Sequence, residues 1–145
     1  MKSIIFAHNY SRSSNTSVGH TYPAIIDEFD RLCDTFHYGP GYPLFDKNDR
    51  IEDVIAKSSF QPDNLIFSHQ WLSDLEGDTN VDPHPQLQLK HVSCSKICLL
   101  NKEYTNLENK LSYLKQNRFD LVFTHHHEAE RYSEQTGIPF VFLPF

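Results

Sequence analysis

Short apolar runs alternate with longer amphipathic segments along the whole chain, a pattern that arises when crossover helices connect parallel strands. The first run is Ser3 to Ala7. Ile25, Ile26, Phe29 and Leu32 then recur at helical spacing, with Asp27, Glu28, Asp30 and Arg31 turned away. A second strand is predicted at Thr35 to Tyr38. Asp49-Arg50-Ile51-Glu52 reads as a helix start, with Asp49 as the cap and Ile51, Val54 and Ile55 as the buried stripe. A third strand comes at Asn64 to Ser68.

From His69 to Ser95 the pattern is hardest to read. Gly77, Asp78 and Asn80 mark turns, Asp82-Pro83-His84-Pro85 resists regular structure, and a short helix is expected near Gln86 to His91. Lys96 to Leu100 is the fourth strand. Thr105-Asn106-Leu107-Glu108 has the form of a capping box opening a helix that buries Leu107, Leu111 and Leu114. Asp120 to Thr124 is the fifth strand, and His126 to Thr136 a helix stopped by Gly137 and Pro139. Phe140 to Leu143 is the sixth strand.

This alternation predicts one α/β domain over residues 1–145, Rossmann-like, with an open, doubly wound, mostly parallel sheet of six strands. The expected strand order is 3-2-1-4-5-6, with a flavodoxin-like order as its rival. The rival usually has five strands and a C-terminal helix, whereas this chain closes on an apolar strand. Composition agrees with a folded domain, since 39% of residues are hydrophobic and 13% aromatic. A net charge of −6 argues against nucleic acid as a partner, which clustered Lys and Arg would attract. Cys33, Cys94 and Cys98 form no CxxC pair and are read as reduced thiols. No run reaches the ~18 apolar residues of a membrane span, and the N-terminal run is too short for a signal peptide, so a cytoplasmic location is expected.

Ligands of open α/β sheets bind beyond the carboxyl ends of the strands. The segment after the first strand, His8 to His20, is rich in hydroxyls and amides. In it His8, Asn9, Arg12, Gly19 and His20 are candidate binding residues for a sugar or phosphate; a solvated loop is the plainer alternative for each. Gly39 and Gly41 flank Pro40 in a turn after the second strand that lacks the GxGxxG fingerprint, and so gives no support to a dinucleotide. Lys102 and Glu103 come after the fourth strand, suited to an anionic group and to hydroxyls, or else to a surface ion pair. His69 and Trp71 suit either a stacking wall or, for the Trp, the core. After the fifth strand come His125, His126 and His127. Consecutive helical residues project about 100° apart, so these do not converge as metal ligands. His125 and His126 are candidates to bind a ligand or move a proton, against a polar helix start capped by Thr124 or His125. No metal and no cofactor are expected.

Four segments occur here in an order that resembles a known family: Tyr38-Gly39-Pro40-Gly41-Tyr42, Leu100-Asn101-Lys102-Glu103-Tyr104, Phe119-Asp120-Leu121-Val122-Phe123-Thr124-His125-His126 and Ile138-Pro139-Phe140-Val141-Phe142-Leu143-Pro144-Phe145. The family is that of bacterial and viral glycosyltransferases with two Rossmann-like domains, including spore-maturation-like members. The resemblance implies an N-terminal, acceptor-binding half of a nucleotide-sugar-dependent enzyme, with a carbohydrate or glycan acceptor; His125 and Glu103, from their places after the strands, are the candidate catalytic groups. The Pro-Phe pair leads into the donor-binding half in that family, and the chain stops there. A separate donor-binding domain or a homodimer is therefore expected as partner. The alternatives are a stand-alone binding or regulatory domain and a metal-dependent hydrolase using the histidines.

Overall fold

The computed structural model describes residues 1–9, 21–73, 87–101 and 103–143. The strands are β1 (Lys2–Phe6), β2 (Asp34–Tyr38), β3 (Asn64–Phe67), β4 (Ser95–Leu100), β5 (Leu121–Thr124) and β6 (Phe140–Phe142). Between them lie α1 (Thr21–Leu32), α2 (Ile51–Ser58), α3 (His69–Ser73), α4 (Leu107–Gln116) and α5 (Ala129–Thr136). Every strand pairing among the described residues is parallel. The expected Rossmann-like α/β class is thus observed.

The strand order is not the expected one. The sheet runs β2-β1-β3-β4-β5-β6, the rival flavodoxin-like order extended by one strand. β3 pairs with β1, Ile4 opposite Leu65 and Ile5 opposite Ile66, and β2 is left at an edge. The physical reason lies in the strands themselves. Asp34, Thr35 and His37 make β2 half polar, which an edge tolerates, whereas all of Asn64, Leu65, Ile66 and Phe67 are buried, as an interior strand requires.

This order distributes the helices unequally. A right-handed crossover from β1 to β2 places α1 on one face, and every later crossover runs the other way and lands on the opposite face. One core accordingly joins Ile4, Phe6, Leu65 and Val122 to Val54 of α2, Trp71 of α3, Leu114 of α4 and Tyr132 of α5. Its centre is aromatic, with Phe6 stacked on Phe67 at 4.3 Å and Trp71 edge-on to Phe6 at 5.1 Å. The other face holds Ile5, Ala7 and Ile66 under Ile26 and Phe29 of α1. Among the described residues α1 is the only helix there, so Leu121 and Phe123 are half-buried and Val141 is 43% exposed. Phe142, at the end of β6, is 48% exposed; Phe145 lies outside the described residues.

Several local expectations are corrected. Asp49 does not cap α2: its carboxylate takes the Tyr38 hydroxyl at 2.6 Å and the Lys57 ammonium, while Asp53 accepts the Arg50 N–H at 2.9 Å. The capping box before α4 is absent, since Asn106 is the cap in a left-handed conformation (φ 50°) and Glu108 instead receives Gln135 at 3.2 Å. Leu32 ends α1 as the chain turns into β2, and it is exposed instead of buried. Leu87 to His91 is not helical. Side chains of the α4 end hold it in place, with Tyr113 donating to the Leu87 carbonyl at 2.9 Å and Asn117 accepting the Leu89 N–H at 2.6 Å. The stop after α5 is as expected: Gly137 is left-handed (φ 75°) and its N–H returns to the Ser133 carbonyl at 2.8 Å.

Two glycines distinguish strain from collision. A Cβ on Gly137 meets nothing within 4 Å, whereas one on Gly39 (φ 148°) would sit 2.0 Å from the Ala7 carbonyl oxygen. Gly137→Ala is expected to cost about 1 kcal/mol from the left-handed backbone alone, and Gly39→Ala more than about 3 kcal/mol because β1 and β2 must separate. Urea unfolding of the two variants checks the ranking. On the open sheet face, Val141→Thr should reduce binding of a hydrophobic dye while changing stability by less than about 1 kcal/mol.

Candidate functional site

With every strand parallel, the segments after β1, β2, β3, β4 and β5 all emerge at one edge of the sheet. His8, Asn9, Gly39, Gly41, Glu103, His125 and His126 therefore share that edge, as expected from strand direction. They do not form one cluster. β1 and β5 are separated by β3 and β4, a span of about 14 Å at the usual strand spacing. Arg12, Gly19, His20 and Lys102 lie outside the described residues.

The first cluster joins β1 to β2. The Asn9 N–H donates to the Pro40 carbonyl at 2.9 Å and the Ala7 N–H to that of Tyr38 at 3.0 Å. Gly39 and Gly41 are what permit this approach, since a Cβ on Gly41 would lie 3.0 Å from Asn9 Cβ. Tyr42 locks the turn from below. Its ring stacks on His37 at 5.3 Å and its hydroxyl lies 3.3 Å from His37 Nδ1, while His37 Nε2 lies 2.6 Å from Asp30 Oδ1, which also accepts Thr35 Oγ1 at 2.5 Å. Burial, and then the Asp30 charge, push the Tyr42 hydroxyl up, so it stays protonated. This is a latch, and none of Asp30, His37 or Tyr42 as a set was evident from spacing.

The second cluster joins β4, α4, β5 and α5. Glu103 comes after β4 and is 8% exposed, and Thr124, last in β5, is 1% exposed. The Thr124 hydroxyl donates to Glu103 Oε1 and accepts the His126 N–H at 3.1 Å. Next, His126 Nδ1 accepts the Glu128 N–H at 3.3 Å, which places the His126 ring proton on Nε2; the Tyr132 hydroxyl lies 3.1 Å from the same Nδ1. These bonds take the amides that would have begun the helix, and α5 accordingly starts at Ala129 and not at His126. The alternative of a helix start capped by Thr124 or His125 is not observed: the N-cap is Glu128 with no side-chain cap, and Thr124 accepts an amide that lies before the helix.

Charge in this cluster is controlled by burial. Lys110 on α4 is 1% exposed and donates Nζ to the Asn101 carbonyl at 3.2 Å, which ties the β4 exit to α4. Burial pushes the Cys98 thiol well up, with Lys110 opposing and Glu103 reinforcing, so Cys98 is an inert core group. Burial also pushes the Tyr132 hydroxyl up, helped by Glu128 and Glu103. His125 is pulled below its ordinary 6.5 by burial, opposed by the Glu103 charge. At neutral pH it is a neutral imidazole beside a buried carboxylate, a pair able to accept a proton from a hydroxyl and to orient it.

Trp71 is 1% exposed inside the aromatic core, which settles it as a core residue, and His69 is 5% exposed. The switch point of the observed order lies between β1 and β3, so the β3 exit at Ser68 and His69 adjoins the crevice. With the 3-2-1-4-5-6 order, that position went to the β4 exit. Among the described residues no three His, Cys, Asp or Glu side chains converge as a metal site needs, and no described helix is long and apolar enough to cross a membrane. No family model, curated protein or solved structure matches the chain.

His125 also makes stability depend on pH. Its folded pKa is depressed, so the unfolded chain binds the proton first as pH falls, and stability is lost from about 6.5 downward. His125→Gln should flatten that loss in denaturant curves across pH 7 to 5 without altering the plateau above it. Glu103→Gln should lower the His125 midpoint in an NMR titration, because it removes the one charge that favours the imidazolium.

Proposed function

We propose that this domain is the acceptor-binding half of a nucleotide-sugar-dependent glycosyl transfer enzyme, with the donor nucleotide held by a partner domain. The observation that carries the reading is the pair at the β4 and β5 exits: a buried Glu103 and, beside it, His125 kept neutral by burial. Glycosyl transfer to a hydroxyl needs a base that takes the hydroxyl proton while the oxygen attacks the sugar carbon. A neutral imidazole fills that role, and a carboxylate held in place can accept a neighbouring hydroxyl of the same acceptor. His126 offers its Nε2 proton as a donor, since its Nδ1 is engaged by the Glu128 amide.

The cluster at the β1 and β2 exits supports a binding surface that extends beyond the acid–base pair. About 14 Å along the edge is the span of a short oligosaccharide more than of a single sugar. Asn9, Gly39 and Gly41 would contact the distal rings, where close backbone approach and amides suit hydroxyl recognition. Catalysis would await the donor half, because positioning and water exclusion supply much of the rate and both need a closed cleft.

The test is an NMR titration of the isolated domain with neutral mono-, di- and trisaccharides and, separately, nucleotide sugars. Oligosaccharides should shift the His125 and His126 signals, with affinity rising with length. Nucleotide sugars should bind weakly and undergo no transfer. Glu103→Gln should weaken oligosaccharide binding roughly 10-fold or more, the loss of a charge-assisted hydrogen bond. Tight nucleotide-sugar binding, or oligosaccharide shifts confined to another face, would overturn the assignment.

A further inference from the structure

We propose that Thr124 is a positioning residue that couples the β4–α4 loop to the β5–α5 loop, holding Glu103 and the His125-His126 backbone in one fixed relation. The proposal rests on the reading of Glu103 and His125 as a working pair, and its test is made without any ligand.

Thr124 interrupts an apolar strand. Leu121, Val122 and Phe123 precede it, and its position faces the helical layer, as that of Val122 does. A hydroxyl that is 1% exposed must be satisfied, and it has one proton and two lone pairs to dispose of. The proton goes to Glu103 Oε1 and a lone pair takes the His126 N–H at 3.1 Å. One atom therefore serves as donor to the first loop and acceptor from the second. The Glu103 carboxylate and the His126 amide are joined here through the hydroxyl, which donates to the one and accepts from the other. His125 lies between the two anchored points in sequence, directly after Thr124 and before the bonded amide of His126.

The groups that face Glu103 limit how else it can be held. Thr124 approaches from β5, while Cys98 on β4, His125 just after β5 and Tyr132 on α5 share its field. Cys98 and Tyr132 stay protonated, and Lys110 donates to the Asn101 carbonyl. Thr124 supplies the bond that also reaches the other loop. Thr124→Val keeps the shape and removes both bonds, leaving Oε1 buried without this donor. The carboxylate then loses the bond that fixes its place relative to His125, and its field at the imidazole weakens.

The experiment is a double-mutant cycle read by NMR titration of His125 in ligand-free protein. Thr124→Val should lower the His125 midpoint in the same direction as Glu103→Gln, and Thr124→Ser should leave it at the wild-type position. The double variant should titrate where Glu103→Gln alone does, because Thr124 acts on His125 through Glu103. Exchange of the His126 amide should rise about tenfold in Thr124→Val and be restored in Thr124→Ser. If Thr124→Val does not fold, Glu103→Ala serves instead: the released hydroxyl should lose its orientation, and His126 amide protection should fall. A wild-type His125 midpoint in Thr124→Val, fully additive shifts in the cycle, or unchanged His126 protection in Glu103→Ala would each overturn the coupling. None of these readouts involves sugar, so the proposal and the functional reading can fail separately.

Discussion

The parallel pairing of β1 with β3 decides the arrangement of nearly every other element in this fold. Once Ser3 to Phe6 lie against Asn64 to Phe67, β2 has nowhere to go except the outer side of β1, and β4, β5 and β6 add in turn on the outer side of β3. Right-handed crossovers then place α2, α3, α4 and α5 on one face and α1 on the other. The aromatic core around Phe6, Phe67 and Trp71 belongs to the crowded face. The switch point, the polar edge strand and the thinly covered back of β4 to β6 all descend from that single choice of neighbour.

Polar chemistry gathers at the carboxyl edge because that is where the sheet stops satisfying its own groups. Inside the strands the ladder pairs each amide and carbonyl; beyond Tyr38, Phe67, Leu100 and Thr124 the chain needs other partners. At the β2 exit the answer is backbone to backbone, and it works only because Gly39 and Gly41 carry no Cβ against Ala7 and Asn9. At the β5 exit the answer is side chain to backbone, through Thr124 and His126. The first solution yields a rigid rim. The second places titratable groups in it, and burial then decides which protonation state each one holds.

Much of the fold was legible in the sequence and the order of its strands was not, for reasons visible in particular residues. Apolar runs such as Ile4-Ile5-Phe6 and Leu65-Ile66-Phe67 announce strands because burial on both faces demands them, and Gly137 with Pro139 close behind it announces a helix end. Neighbour choice is a long-range property that no local pattern states. The polar positions Thr35 and His37 did point to an edge, and weighing them would have favoured the observed order. Caps were misread where a side chain had a better partner: Asp49 serves Tyr38 and Lys57, and Glu108 serves Gln135. The shared edge position of Glu103, His125 and His126 was legible from their place after strands. Thr124 was passed over as a cap, although a hydroxyl closing an apolar strand is itself a sign of a buried polar contact. The Asp30, His37 and Tyr42 latch was not readable, since it spans a helix, a strand and a turn.

The unequal helix layers bear on how such a domain can work. A sheet covered on both faces over its whole width is held rigid by packing, whereas β5 and β6 here are packed tightly on one face and thinly on the other. Their position is maintained by α5 and by side-chain hydrogen bonds, including Ser133 Oγ accepting the Phe140 N–H at 2.8 Å. Hydrogen bonds are directional and fix register, whereas interdigitated side chains supply the close packing that transmits and resists strain. Glu103 and His125 sit at the end of this lightly backed half, while the rim at β1 and β2 sits over the half that α1 covers. Geometry at the pair therefore depends more on local bonds such as those of Thr124 than on the sheet beneath. Any partner that packed against Phe123 and Val141 would stiffen the pair from behind without touching it.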